Sequence, residues 1–253
     1  MNEFARLLHG GRPQVGLWQA LAAPYAAEVC ARSGFDWLLF DAEHAPNTLT
    51  SLLGQLQAVG AHGVEPVVRP PIADRVWIKQ LLDLGFRTLL LPMVDDAAQA
   101  AELVAATRFP PVGTRGVASS TSRASGFGAV PDYLATAHED ICVVVQVESR
   151  TGLDNVAEIA AVEGVDGVFF GPGDLAASLG HLGDPGHPEV RAAIEAALPL
   201  VVAGGAFPGI FASGPEDAAH WLDRGVVLVS VGSDVGLLAS SARTLARHPY
   251  PGR

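Results

Sequence analysis

Val168-Phe169-Phe170-Gly171-Pro172-Gly173-Asp174-Leu175 reads as a buried strand that stops at a turn and runs at once into a carboxylate and a helix. The run before Gly171 is apolar on every residue, which suits a strand covered on both faces. The two glycines let backbone approach a ligand closely. Pro172 has no N–H, so the free donors of the turn are those of Gly173 and Asp174. Donors of this kind hold small anions, while Asp174 suits a cation.

The same pattern recurs outward from this point. Apolar strands are predicted at 15–18, 35–40, 65–69, 88–92, 141–147, 165–170, 208–212 and 226–231. Helical stretches alternate with them at 24–32, 48–61, 77–84, 95–107, 133–138, 153–161, 189–198, 215–222 and 234–245, and a short leading helix is expected at 4–10. Unbroken apolar strands separated by helices indicate a parallel sheet. Eight of them in 253 residues fit a single α/β (β/α)₈ barrel over 1–253, preceded by the short helix. A doubly wound open sheet is the alternative. The long polar segment 109–132 interrupts the pattern; segments of that length are usually functional or disordered.

Composition narrows the function. Hydrophobic residues make up 49% and charged residues 17%, which suits a large core. A net charge of −11 and the lack of a basic stripe argue against nucleic acid. No signal peptide or membrane span is read, and Cys30 and Cys142 lie far apart in apolar settings. A cytoplasmic protein with two reduced thiols is expected.

In a (β/α)₈ barrel the site lies where the strands end. Trp18, Asp41, Glu43, His44, Arg69, Gln146, Glu148, Gly173, Asp174, Phe211, Ser233 and Asp234 stand there. The single lysine, Lys79, falls in a helix, so a Schiff-base mechanism has no candidate and carbon–carbon chemistry would need a metal. Glu148 and Asp174 follow neighbouring strands, and paired carboxylates suit Mg²⁺ or Mn²⁺. Each carboxylate alone reads equally well as a helix cap or an arginine partner. His44 is the candidate base, oriented by Asp41, with Arg69 on the next strand placed to stabilise a developing oxyanion. Trp18 is placed to wall the pocket. Gly232-Ser233-Asp234 after the last strand stands where such barrels often bind phosphate, and capping of the following helix by Ser233 or Asp234 is the favoured reading. The remaining histidines read as surface residues, with His181 and His187 the least settled.

These motifs together resemble the metal-dependent pyruvate aldolases that act on 4-hydroxy-2-oxoheptanedioate, 2-keto-3-deoxy-L-rhamnonate and 2-dehydro-3-deoxyglucarate. The matching stretches are Phe40-Asp41-Ala42-Glu43-His44, Val68-Arg69, Gly113-Thr114-Arg115-Gly116, Gln146-Val147-Glu148-Ser149 and Gly171-Pro172-Gly173-Asp174-Leu175. The resemblance implies reversible cleavage of a 4-hydroxy-2-oxo acid to pyruvate, or a related 2-oxo acid such as hydroxypyruvate, and an aldehyde. It implies a divalent cation on Glu148 and Asp174, most simply Mg²⁺ or Mn²⁺, with Co²⁺ and Zn²⁺ also compatible. His44 becomes the acid/base group, Arg69 the substrate contact, Gln146 a ligand of the keto acid, and Gly171 to Asp174 the carboxylate cradle. It also implies a homohexamer in which the Val117 region completes a neighbour's pocket. Two residues depart from the pattern: Gly173 stands where alanine or serine is frequent, and Phe211 near where a smaller aliphatic is common. The same enolate chemistry would serve a 2-oxo acid decarboxylase or an acyl-CoA ester lyase, and a non-catalytic metabolite-binding barrel is a third class.

Overall fold

A computed structural model describes residues 2–248. Eight parallel strands close into a barrel in sequential order. They are β1 (Gln14–Gln19), β2 (Trp37–Asp41), β3 (Glu65–Arg69), β4 (Thr88–Leu91), β5 (Cys142–Val147), β6 (Gly167–Phe170), β7 (Phe207–Phe211) and β8 (Leu228–Ser233). The helices are α1 (Glu3–His9), α2 (Pro24–Ala31), α3 (Leu49–Val59), α4 (Arg75–Leu84), α5 (Ala97–Thr107), α6 (Tyr133–Thr136), α7 (Arg150–Asp154), α8 (Val156–Ala160), α9 (Pro172–Ser178), α10 (Pro188–Ala203), α11 (Pro215–Leu222) and α12 (Asp234–Ala246). The closed barrel, not the open sheet, is the architecture.

Strand parity divides the core in two. Leu38, Phe40, Val68, Leu89, Leu91, Val143, Val145, Val168 and Phe170 pack outward against the helices. Trp37, Leu39, Val67, Leu90, Cys142, Val144, Phe169 and Phe207 form a separate interior cluster. Successive side chains of a strand point to opposite faces. Continuing the inward set in steps of two brings Asp41, Arg69, Gln146 and Gly171, and one step further Glu148 and Phe211, to the mouth. Trp18, itself an interior residue, joins them there.

The other end of the barrel is closed by α1. Phe4, Ala5 and Leu8 enter the interior cluster. Asn2 caps α1 through Oδ1 and donates from Nδ2 to Thr88 Oγ1 at 3.3 Å; the Thr88 hydroxyl donates to Glu65 Oε1 at 2.6 Å. Burial raises the Glu65 carboxyl above its ordinary 4.5, opposed by the Thr88 hydrogen bond.

Three sequence expectations change. The helix expected to end at 198 runs through Pro199 to Ala203. Pro199 is exposed, so water can satisfy the carbonyl it leaves unpaired, while Leu198 and Val201 on the buried face hold the helix to the barrel. The helix expected over 153–161 breaks at Asn155 into α7 and α8, where the Asn155 side chain donates to the Asp95 carbonyl at 2.8 Å. The segment 109–132 is ordered around Arg115. This guanidinium is buried, lies 4.5 Å over the Phe109 ring, and donates to Asp83 Oδ1 at 2.8 Å and the Tyr133 hydroxyl at 3.2 Å. The Asp83 carbonyl takes Ser122 Oγ and Ala124 N, and Arg123 donates to the Leu84 carbonyl. The Gly-Thr-Arg-Gly stretch therefore fastens this segment to α4. Among the described residues no helix is long and apolar enough to cross a membrane.

Gly16 is fixed by the interior packing. A Cβ there would overlap the indole of Trp37, which is fully buried and donates Nε1–H to the Gln14 carbonyl at 3.1 Å. Gly16→Ala is expected to lower unfolding free energy by about 1–3 kcal/mol, read from urea denaturation; an unchanged midpoint would contradict this packing. Glu65 gives a second expectation. Its folded pKa is raised, so its stabilising contribution is present below pH 4.5 and fades as pH climbs through the raised value. Across that window Glu65→Gln should gain stability relative to the parent, with a constant difference below it. Parallel slopes in the two profiles would contradict the burial of that carboxyl.

Candidate active site

Asp41 and Arg69 end neighbouring strands and are paired in register. The register alone places a carboxylate beside a guanidinium on the inner face. Arg69 Nε and Nη2 each donate to one oxygen of Asp41 at 2.9 Å. Its Nη1 stands 2.8 Å from Glu43 Oε2 and makes a long 3.5 Å contact with Gln146 Oε1. The guanidinium also lies 4.2 Å over the Trp18 ring. Arg69 is only 2% exposed, so these partners replace its water. A buried cation is stable only when paired and hydrogen-bonded in this way.

The turn after β2 is held by a buried polar chain. Asn47 Nδ2 donates to the Asp41 carbonyl at 2.7 Å, and its Oδ1 accepts from Ser51 Oγ and Gln55 Nε2. The Glu43 N–H donates to Asp41 Oδ1 at 3.0 Å. These bonds correct one expectation. Asp41 does not orient His44, because both its oxygens serve Arg69 and one also takes the Glu43 amide. The His44 side chain is 66% exposed, and the carboxylate beside it is Glu43, at 3.8 Å.

Glu148 is buried beneath the mouth. Its Oε1 accepts from the Met93 N–H at 3.0 Å and its Oε2 from Gln146 Nε2 at 2.5 Å. Met93 has φ 56, a left-handed conformation rare for a residue with a side chain. That conformation, directly after β4, aims its N–H at the carboxylate. Burial first, with the charges of Glu43 and Asp174 adding to it, raises the Glu148 carboxyl to about 7. Glu43 is raised too, again by burial and by the neighbouring charges of Asp41 and Asp174, against the pull of Arg69.

Asp174 sits in the first turn of α9, on the exposed rim. Gly171 caps that helix from the inner face. A Cβ on Gly171 would come within 2.5 Å of Glu148 Oε2 and 2.8 Å of Gln146 Nε2, so only glycine fits. At Gly173 nothing lies within 4 Å of where a Cβ would stand. The Gly173 and Asp174 N–H groups belong to the first turn, where a helix supplies no acceptor. Phe211 meets Trp18 edge to face at 5.2 Å and closes the β7 side. A cavity of about 180 Å³ continues beyond Gly173 and Phe211, bounded by Pro185, Gly186, Arg191 and Trp221.

Three carboxylates, Glu43, Glu148 and Asp174, thus interact around one opening. Glu43 Oε2 is buried and receives no aligned hydrogen bond despite its nearness to Arg69. Three carboxylates around one opening, with a spare buried oxygen on Glu43, fit a hard divalent cation. Glu43 and the Met93 amide carried no role in the sequence reading. Glu43 stood among the strand-end residues, whereas nothing in the sequence marks an amide at a left-handed methionine. Ser233 caps α12, its Oγ accepting from the Gly236 N–H, whereas Asp234 accepts from the Ala20 and Leu21 N–H groups and ties the loop after β1 to the start of α12.

The family described as HpcH/HpaI aldolase/citrate lyase matches residues 14–241. The chain is 60% identical over 245 residues to a hydroxypyruvate/pyruvate aldolase of Deinococcus radiodurans, covering 97% of this chain and 88% of that one. It is 51% identical to a 4-hydroxy-2-oxo-heptane-1,7-dioate aldolase of Escherichia coli, covering 97% and 94%. Among solved structures, an HpcH/HpaI aldolase/citrate lyase family protein of Burkholderia cenocepacia J2315 superposes with a TM-score of 0.93 at 43% identity, covering 98% of each chain.

Removing the carboxylate while leaving the buried guanidinium is the sharpest test of this arrangement. Asp41→Ala is expected to destabilise the fold by about 3–5 kcal/mol in urea unfolding. A loss below about 1 kcal/mol would mean that Arg69 does not depend on Asp41.

Proposed function

The chain belongs to the HpcH/HpaI aldolase/citrate lyase family, and from that premise we propose that it reversibly cleaves 4-hydroxy-2-oxo acids to pyruvate, or a related 2-oxo acid such as hydroxypyruvate, and an aldehyde. It is a carbon–carbon lyase. The observation that carries the reading is the juxtaposition of buried Arg69 with the carboxylates Glu148, Glu43 and Asp174 at the mouth of a barrel whose one lysine is elsewhere.

Aldolases of this family depend on a divalent metal. Glu148 and Asp174 would hold it, and their all-oxygen donor set favours Mg²⁺ or Mn²⁺. When bound, the cation supplies Lewis-acid polarisation of the 2-oxo group. The rest falls to the chain's own residues. Gln146 and the N–H groups of Gly173 and Asp174 bind and orient the 2-oxo acid, its carboxylate lying over Gly171. Arg69, locked by Asp41, faces the oxygen on which negative charge develops and needs no rearrangement to do so. His44, beside Glu43, takes the proton of the C4 hydroxyl as the C3–C4 bond breaks. That proton returns to C3, which yields the 2-oxo acid, and the aldehyde leaves past Trp18 and Phe211.

The same reading places the protein in the cytoplasm as a homo-oligomer, a hexamer by resemblance. The two unpaired cysteines support the first. Exposed apolar residues, including Val117 and Phe127 on the Arg115-anchored segment, support the second.

Pyruvate release from 4-hydroxy-2-oxo acids is expected to vanish after exhaustive chelation and to return with Mg²⁺ or Mn²⁺. Full activity without metal would overturn the reading. Arg69→Ala should lower turnover about 10²–10³-fold, the cost of one electrostatic donor; a near-native rate would remove Arg69 from the chemistry.

A further inference from the structure

The loop between α9 and α10 carries two histidines that the proposed chemistry leaves unused. His181 and His187 bracket it, and their rings stack with centroids 3.5 Å apart and planes 15° from parallel. Both are half-buried. The loop is locally braced: the His181 N–H donates to the Ala176 carbonyl at 2.7 Å, and Asp184 N and His187 N close successive turns. Glu189, in the first turn of α10, places Oε2 2.8 Å from His181 Nε2. His187 Nδ1 accepts from the Glu189 N–H at 3.2 Å, which turns a lone pair toward the same residue.

We propose that His181, His187 and Glu189 form a second divalent-cation site, selective for nitrogen-preferring ions such as Zn²⁺, Ni²⁺ or Cu²⁺. One ligand atom from each residue lies within 4.8 Å of the others. Around a tetrahedral ion with bonds of about 2.1 Å, ligand atoms stand about 3.4 Å apart, so the two rings must rotate out of their stack until both ring planes meet at the ion. The cation takes the place of the His181 hydrogen on the Glu189 carboxylate. Where it takes the His187 Nδ1 lone pair, the Glu189 N–H at the exposed helix end passes to water. Imidazole donors separate this site from the all-oxygen mouth, because Mg²⁺ binds nitrogen poorly and Zn²⁺ binds it well. Occupancy ties the loop to α10. Pro185 and Gly186 of that loop wall the cavity beside Gly173 and Phe211, so the ion fixes one wall of the space next to the mouth.

The test is equilibrium dialysis of the full chain against Zn²⁺ in excess Mg²⁺. The parent for comparison is Glu148→Gln/Asp174→Asn, in which the mouth carboxylates are neutral. That protein is expected to bind one Zn²⁺ per chain, and adding His181→Gln or His187→Gln should weaken binding at least about tenfold. No Zn²⁺ on the parent, or equal binding after the histidine substitutions, overturns the proposal. X-ray absorption on the unsubstituted, Mg²⁺-saturated protein with one equivalent of Zn²⁺ gives a readout that needs no variant to fold. Two imidazole nitrogens in the zinc shell support the site, and an all-oxygen shell overturns it.

Discussion

Arg69 is a cation with almost no water, and the mouth of the barrel is arranged around its need for partners. Two strands deliver the bidentate Asp41 pair in register, the β2 turn delivers Glu43, β5 delivers Gln146 and β1 delivers the face of Trp18. Losing Asp41 would leave a buried charge without its principal partner. The arrangement has a chemical consequence as well as a structural one. A guanidinium pinned on one edge keeps Nη1 aimed inward, toward Gln146 and Glu43, where an oxyanion would form. Preorganisation of this sort lets an electrostatic donor act without reorganising as charge develops.

The carboxylates balance the cation only in part. Glu43, Glu148 and Asp174 together carry more negative charge than Arg69 can offset, since Asp41 already engages it. Burial first, with the neighbouring carboxylate charges adding to it, raises the proton affinity of Glu148 and Glu43. Surplus carboxylate of this kind suits a divalent cation. Gly171 keeps the space beside Glu148 open, and Met93 is held in a left-handed conformation to give the carboxylate one backbone donor. Gly173, by contrast, has open space around it, so its missing side chain reflects no steric demand from this fold.

Much of the fold was legible because parallel strands buried on both faces are unbroken apolar runs. Strand ends could then be read off, and with them Asp41, Arg69, Glu148 and Asp174. Parity added what run length does not: Gln146 and Glu148 share a face because they are two residues apart. What the sequence concealed depends on relations between distant segments. That Asp41 belongs to Arg69 and not to His44 follows from the β2–β3 register, which the sequence does not state. Arg115 stood in a long polar segment without an assigned partner, and its partners Asp83 and Tyr133 come from helices on either side of it in the chain. Pro199 was a plausible helix stop until burial of Val201 on the far side outweighed it. His181 and His187 looked unrelated until the loop stacked them.

In the proposed mechanism Glu148 and Arg69 act together to stabilise negative charge on a bound 2-oxo acid. Exchange of the pyruvate methyl protons with deuterated water, followed by NMR without any aldehyde, isolates that step. Enzyme-dependent exchange is expected in Mg²⁺ or Mn²⁺, falling to the buffer rate in a folded Glu148→Gln variant and nearly so in Arg69→Ala. Exchange at the parent rate in both variants would contradict it.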